Sequence, residues 1–162
     1  MTKLYYGVGS FTHMVDCVEK AVSVFGGDEE HERLLLGTAC TETDLATFGD
    51  VHPDKWGVSV VQFDQIRFDD VITRTRKKHR ELFFKHYKIR LGSLKLHAIS
   101  RNPEVAFALC RLAYILIPEA VPKNIRGQAE YWKTHWNTHH ANAKGTPESY
   151  MADWANFMPR WI

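Results

Sequence analysis

Apolar positions recur at spacings of three and four over most of the chain, which is the helical period, and turn-forming residues punctuate the runs. Met14, Val15, Val18, Ala21, Val22 and Phe25 predict a helix over about Phe11–Phe25, stopped by Gly26-Gly27-Asp28. A second helix is predicted over about Glu29–Thr43, where Leu34, Leu35, Leu36, Ala39 and Cys40 are too apolar for a surface. Glu42, near its end, is therefore expected beside the core. Gly49-Asp50, His52-Pro53-Asp54 and Gly57 mark turns, and the β-branched run from Val58 to Phe63 predicts one or two short strands, a small hairpin-like lobe.

Helical periodicity returns from Gln65 to about Tyr87, and Gly92 separates this stretch from the C-terminal half. Asn102-Pro103-Glu104 has the form of a helix start, because Asn caps free amides and Pro tolerates the first turn. The run Val105–Ile117 is apolar nearly all round, the pattern of a helix in the centre of a domain, and Pro118 and Pro122 end it. Two more helices are predicted, over Asn124 to about Trp136 and Thr146 to about Phe157, joined by a polar stretch from Asn137 to Gly145. The expected class is mainly α (α+β), a helical domain with a small β-hairpin lobe.

At 162 residues and 44% hydrophobic content the chain suits one packed core, and residues 1–162 are read as a single domain. Basic and acidic residues nearly balance, 21 against 19, with the basic ones concentrated in Arg74-Thr75-Arg76-Lys77-Lys78-His79-Arg80. That cluster reads first as a solvated helix face and only then as a patch for a polyanion such as nucleic acid. Cys17, Cys40 and Cys110 lie in apolar surroundings without metal-type spacing, so buried free thiols are expected. His135 and His139 could share a helix face, but no third ligand accompanies them, so neither a metal nor another cofactor is expected. The N-terminus lacks an apolar stretch of signal-peptide length and no run approaches eighteen apolar residues, which predicts synthesis in the cytoplasm and no membrane insertion.

The candidate chemistry centres on Glu42. A glutamate closing an apolar helix, facing a polar loop, is where burial can raise a carboxyl pKa. The order Thr41-Glu42-Thr43, a polar loop, then Gly57 followed by Val58-Ser59-Val60-Val61-Gln62-Phe63-Asp64 resembles the lysozyme-like superfamily in its goose-type and lytic transglycosylase branches. In those branches a catalytic Glu followed by Ser or Thr closes a helix, and a Gly-Leu-Met-Gln segment comes after a loop. Tyr131-Trp132-Lys133, Trp136-Asn137-Thr138 and Lys144-Gly145-Thr146 resemble the tyrosine-asparagine segment of the far cleft wall. The likeness spans about Leu34 to Tyr150, and small phage-encoded muramidase-like proteins share the layout. Two departures stand out: the Gly-to-Gln segment is longer, with Ser59 and Val60 inside it, and the asparagine segment reads WNTHHANAKG.

The resemblance implies a muramidase cleaving the glycan strand of bacterial peptidoglycan, acting at the wall, delivered with a phage virion or lysis machinery. Glu42 would be the general acid, Asp64 would stand where goose-type enzymes carry an Asp after the Gln, and Thr43, Gly57, Gln62, Tyr131, Trp132, Trp136 and Asn137 would bind substrate. Hydrolysis needs a second carboxylate, for which Asp44, Asp50, Asp54 and Asp64 are candidates, whereas a lytic transglycosylase uses a hydroxyl of the substrate itself. Trp56, Trp132, Trp136 and Tyr131 read first as core aromatics, with one or two of them offering faces on which sugar rings stack. A catalytically inactive virion structural or wall-binding protein is the rival of another class.

Overall fold

The computed structural model describes residues 2–49, 57–138 and 144–157. The first helix, α1 (Phe11–Phe25), starts where Ser10 accepts the His13 amide and ends at Gly26, whose φ of 92° suits glycine. Asp28 and His31 form a reciprocal cap that opens α2 (Glu29–Thr43). Then come α3 (Gln65–Arg74), α4 (Lys77–Tyr87), two short 3-10 turns at Leu91–Ser93 and Leu96–Ile99, α5 (Pro103–Ile115), α6 (Ile125–His135) and α7 (Pro147–Phe157). Asn102 and Asn124 cap α5 and α6 by accepting the Val105 and Gly127 amides.

The centre of the molecule is α5, every residue of which from Val105 to Tyr114 is buried. Helices α1, α2, α3 and α4 pack around it, and α7 lies across α2 and α6. The α2–α7 crossing is close because Gly37 has no side chain: a Cβ there would lie 1.8 Å from the Tyr150 hydroxyl. Tyr150 in turn meets the Trp132 ring of α6 at 5.5 Å. Cys17, Cys40 and Cys110 are buried free thiols. Among the described residues no helix is long and apolar enough to cross a membrane.

The helical expectation holds, but the β-hairpin lobe does not form. Among the described residues there is no sheet, only one antiparallel bridge between Val58 and Phe63, which exchange two backbone hydrogen bonds of 2.8 Å. Ser59 (φ 78°) and Gln62 (φ 55°) adopt left-handed backbone, so the chain reverses within four residues instead of extending. Val60, Val61 and Phe63 are all fully buried, so the β-branched run plugs the core and does not alternate between two faces. Asp64 caps α3 immediately afterwards, accepting the Arg67 amide at 2.7 Å.

The helical stretch expected over Gln65 to about Tyr87 is divided into two helices. Thr75 turns to extended backbone (ψ 128°) with its hydroxyl bonded back to the Val71 carbonyl. Arg80 seals the break, its guanidinium donating to the Thr75 and Ile72 carbonyls. One of the clustered cations is thus spent inside the fold. Arg74 and Lys77 form surface pairs with Asp70 and Glu81, so the rest of the cluster is largely a solvated face.

Candidate active site

Three segments distant in sequence meet at one small recess: the end of α2, the Gly57–Asp64 turn, and the end of α6. Its described lining is Glu42, Gly57, Gln62, Asp64, Trp136, Asn137 and Thr138. Six of these seven are residues that the sequence singled out.

Glu42 is fixed by the way α2 stops. Asp44 enters the left-handed region, and its amide and that of Leu45 fold back onto the Cys40 and Ala39 carbonyls at 3.0 and 3.2 Å. Leu45 and Ala46 are left-handed too (φ 55° and 66°), a costly run for L-residues. Burial of both, a bond from the Ala46 amide to the Thr43 hydroxyl, and a bond from the Tyr5 amide to the Ala46 carbonyl hold it in place. Such strain beside an acid is a feature of functional sites.

The Glu42 side chain is half-buried and lines the recess, and the protein packed around its carboxyl pushes its pKa up to about 7. Desolvation is the main cause; the nearby Asp64 charge adds to it. The indole N–H of Trp132, donating to Glu42 Oε1 at 3.2 Å, and the charges of Arg67 and Lys133 act in the opposite sense. The outcome is an acid that carries its proton up to neutral pH yet has access to the recess.

Other candidate residues fall into two groups. Gln62 faces the recess with its amide donating to the Ser59 carbonyl at 2.8 Å, and it lies so close to Gly57 that a Cβ at position 57 would meet its Oε1 at 2.6 Å. Glycine is required there. Trp136 donates to the Val61 carbonyl at 3.1 Å and packs on Phe63, tying α6 to the turn. Asn137 presents a carboxamide whose oxygen accepts from Lys133 at 2.8 Å.

Thr43, Trp132 and Tyr131, expected to bind substrate, are placed otherwise. Thr43 is buried, its hydroxyl 2.8 Å from the Val60 carbonyl and 3.1 Å from that of Ala39, so it latches α2 to the turn. Trp132 is buried under Glu42 and positions the acid. Tyr131 looks away: it packs on Tyr114 and on the ring of His135, and its hydroxyl donates to the Glu119 carbonyl at 2.9 Å.

Among the second-carboxylate candidates, Asp64 lines the recess, with one oxygen accepting the Arg67 amide. Asp44 does not line it; burial raises its pKa and its charge acts on Asp153 of α7. Asp50, Asp54, Trp56 and His139 lie outside the described residues, as do the predicted turn residues His52 and Pro53. No group of three or more potential metal ligands occurs among the described residues.

Arg67 carries no signal in the motifs and is the main structural support of the site. It is buried, its Nη2 donates to the His135 and Trp136 carbonyls at 2.7 and 2.8 Å, and its guanidinium lies 4.3 Å from the centre of the Trp136 ring. A cation at the C-terminal end of α6 satisfies carbonyls the helix leaves free. The sequence hint was an arginine on the same face of α3 as Phe68 and Val71, facing the core.

No known protein family, curated protein or solved structure matches the chain. The chemistry therefore rests on the geometry. A protonated carboxyl and a second, hydrogen-bonded carboxylate lining one recess with two side-chain amides are able to protonate a leaving oxygen and stabilise the positive charge that develops.

Trp132→Phe tests how the acid is tuned. Losing the indole donor removes an interaction that favours the ionised form, so the Glu42 pKa is expected to rise further above 7. The carboxyl resonance followed by NMR against pH should titrate later than in the unaltered chain. An earlier or unchanged midpoint would mean that the indole does not govern this carboxyl.

Proposed function

We propose that the chain is a muramidase of lysozyme-like character that cleaves the glycan strand of bacterial peptidoglycan, with Glu42 as general acid and Asp64 as the second carboxylate. The observation that carries this reading is Glu42 itself, with a pKa of about 7 in a recess that also holds Asp64. Glu42 would protonate the glycosidic oxygen, and Asp64, through the oxygen left free of the α3 cap, would stabilise the oxocarbenium-like centre or activate water. Gln62 and Asn137 would hold the sugar substituents. Arg67, Trp132 and Thr43 would keep the acid and the far wall in register. The reading places the action at the bacterial wall, reached with a virion or lysis machinery, and requires no cofactor.

The recess is small, about 90 Å3 against the roughly 300–1,000 Å3 of sites that enclose a whole ligand. It can enclose the reacting atoms, while a saccharide would lie mostly outside it. Together with the use of one Asp64 oxygen as a helix cap, this favours one alternative from another class, an inactive wall-binding or virion structural protein.

Asp64→Asn separates the chemistries. In a hydrolase, turnover should fall by about two orders of magnitude or more, with products from the unaltered protein ending in reducing sugars. In a lytic transglycosylase of the same fold, the variant should be far less damaged than Glu42→Gln and the products should be anhydro sugars. Since an Asn still accepts the Arg67 amide, the helix cap and the fold should survive, as circular dichroism would verify. An unaltered protein that leaves peptidoglycan intact but sediments with it would support the non-catalytic alternative.

A further inference from the structure

A second concavity, a groove of about 640 Å3, lies between α3 and the ends of α5 and α6. It adjoins the Glu42 recess, and Trp136 and Thr138 line both. Its walls are unlike a sugar subsite. Saccharide rings favour open aromatic faces, yet Trp136 is only 5% exposed and carries the Arg67 guanidinium over its ring.

The groove offers short aliphatic surface and charges of both signs. Leu116 and Ile117 come from the end of α5, and Ile66 of α3 is 66% exposed at the edge, an isolated branched apolar side chain facing water. Along α3 stand Asp69, Asp70 and Arg74. Asp70 and Arg74 pair at 3.0 Å, but both are well exposed, so the pair is weak and open to exchange with charged groups of a ligand.

We propose that this groove binds the short peptide carried by the glycan strand, a chain with alanine-sized side chains, free carboxylates and a free amine. The inference rests on the reading of the Glu42 recess as a glycan-cleaving site. Alanine methyls would cover Ile66, Leu116 and Ile117, a carboxylate would take Arg74, and the amine would take Asp69 or Asp70. The shared wall at Trp136 and Thr138 would then join recognition of the peptide to placement of the sugar that bears it. The groove would sort peptide-bearing strands from bare ones.

The test is calorimetric titration of the full chain with a synthetic tetrapeptide of alanine, γ-linked glutamate, a diamino acid and alanine, and separately with a peptide-free chitooligosaccharide. The tetrapeptide should bind, and Arg74→Glu and Ile66→Asp, both surface changes, should each weaken it at least about tenfold, the equivalent of about 1.4 kcal/mol. Binding of the oligosaccharide should be unchanged. Failure of the tetrapeptide to bind, or binding indifferent to both variants, overturns the proposal. If strands are cleaved while the tetrapeptide does not bind, the groove assignment fails and the catalytic reading stands. If the tetrapeptide binds as described but no strand is cleaved, the catalytic reading fails and the groove remains a peptide site.

Discussion

Glu42→Gln should abolish wall clearing and make the protein more stable at alkaline pH. Glutamine keeps the shape and can still accept the Trp132 N–H, but it has no proton to give, and general acid catalysis is worth about two to four orders of magnitude. The stability effect arises from the pKa. Folding raises it from 4.5 to about 7, so the folded state binds the proton more tightly than the unfolded chain. Stability therefore falls as pH rises from about 4.5 to about 7, and the full penalty is present above that. Glutamine removes the penalty. Discounted for the solvent contact of the half-buried side chain, the gain at pH 8 should be about 1–3 kcal/mol, and at pH 4 close to nothing. Thermal melts at both pH values, beside turbidity assays, measure the two effects together. A variant that loses activity but gains nothing at pH 8 would mean that Glu42 is ionised in the folded state at little cost.

Arg67→Met should be the most destabilising change around the site. It strips the His135 and Trp136 carbonyls of their shared cationic donor and leaves the Trp136 ring face uncovered. Charge-assisted hydrogen bonds contribute about 1.5–3 kcal/mol each, and the aliphatic stem is retained, so a loss of about 3 kcal/mol in urea unfolding is expected. Arg67→Lys should recover only part of it, because an ammonium does not reproduce the planar fork. Activity should fall more than the folded fraction does, since Trp136 and Asn137 line the same recess as the acid. Loss of stability with a full rate per folded molecule would show that the end of α6 is not part of the site.

Much of the fold was legible because helix ends are chemical. Ser10, Asn102 and Asn124 are capping residues, Gly26 a stop, and the all-apolar run Val105–Ile117 has one physical solution, burial at the centre. The misreadings came where tertiary contacts decide. No glycine or proline marks the break at Thr75; it is made by the Thr75 hydroxyl bonding back to Val71 and by Arg80 reaching back to two carbonyls. Val58–Phe63 has strand composition, but the left-handed backbone at Ser59 and Gln62 converts it into a buried turn.

The site was legible in part for a similar reason. Motif spacing pointed to Glu42, Gly57, Gln62, Asp64, Trp136 and Asn137, which share one recess. It did not reveal which way α6 faces. Trp132 and Trp136, one turn apart, lie toward the acid and the turn, whereas Tyr131 and His135 share the neighbouring face, their rings tilted against each other at 4.5 Å. Thr43 comes directly after the acid in sequence but points into the core, where its hydroxyl is consumed.

The most direct measurement is mass spectrometry of purified peptidoglycan after incubation with the unaltered chain and, in parallel, with Glu42→Gln. New glycan ends, reducing for a hydrolase, should accumulate with the first and be absent with the second. Intact strands with the unaltered chain, or equal cleavage by the variant, would contradict the assignment of Glu42 as the acid of a glycan-cleaving enzyme.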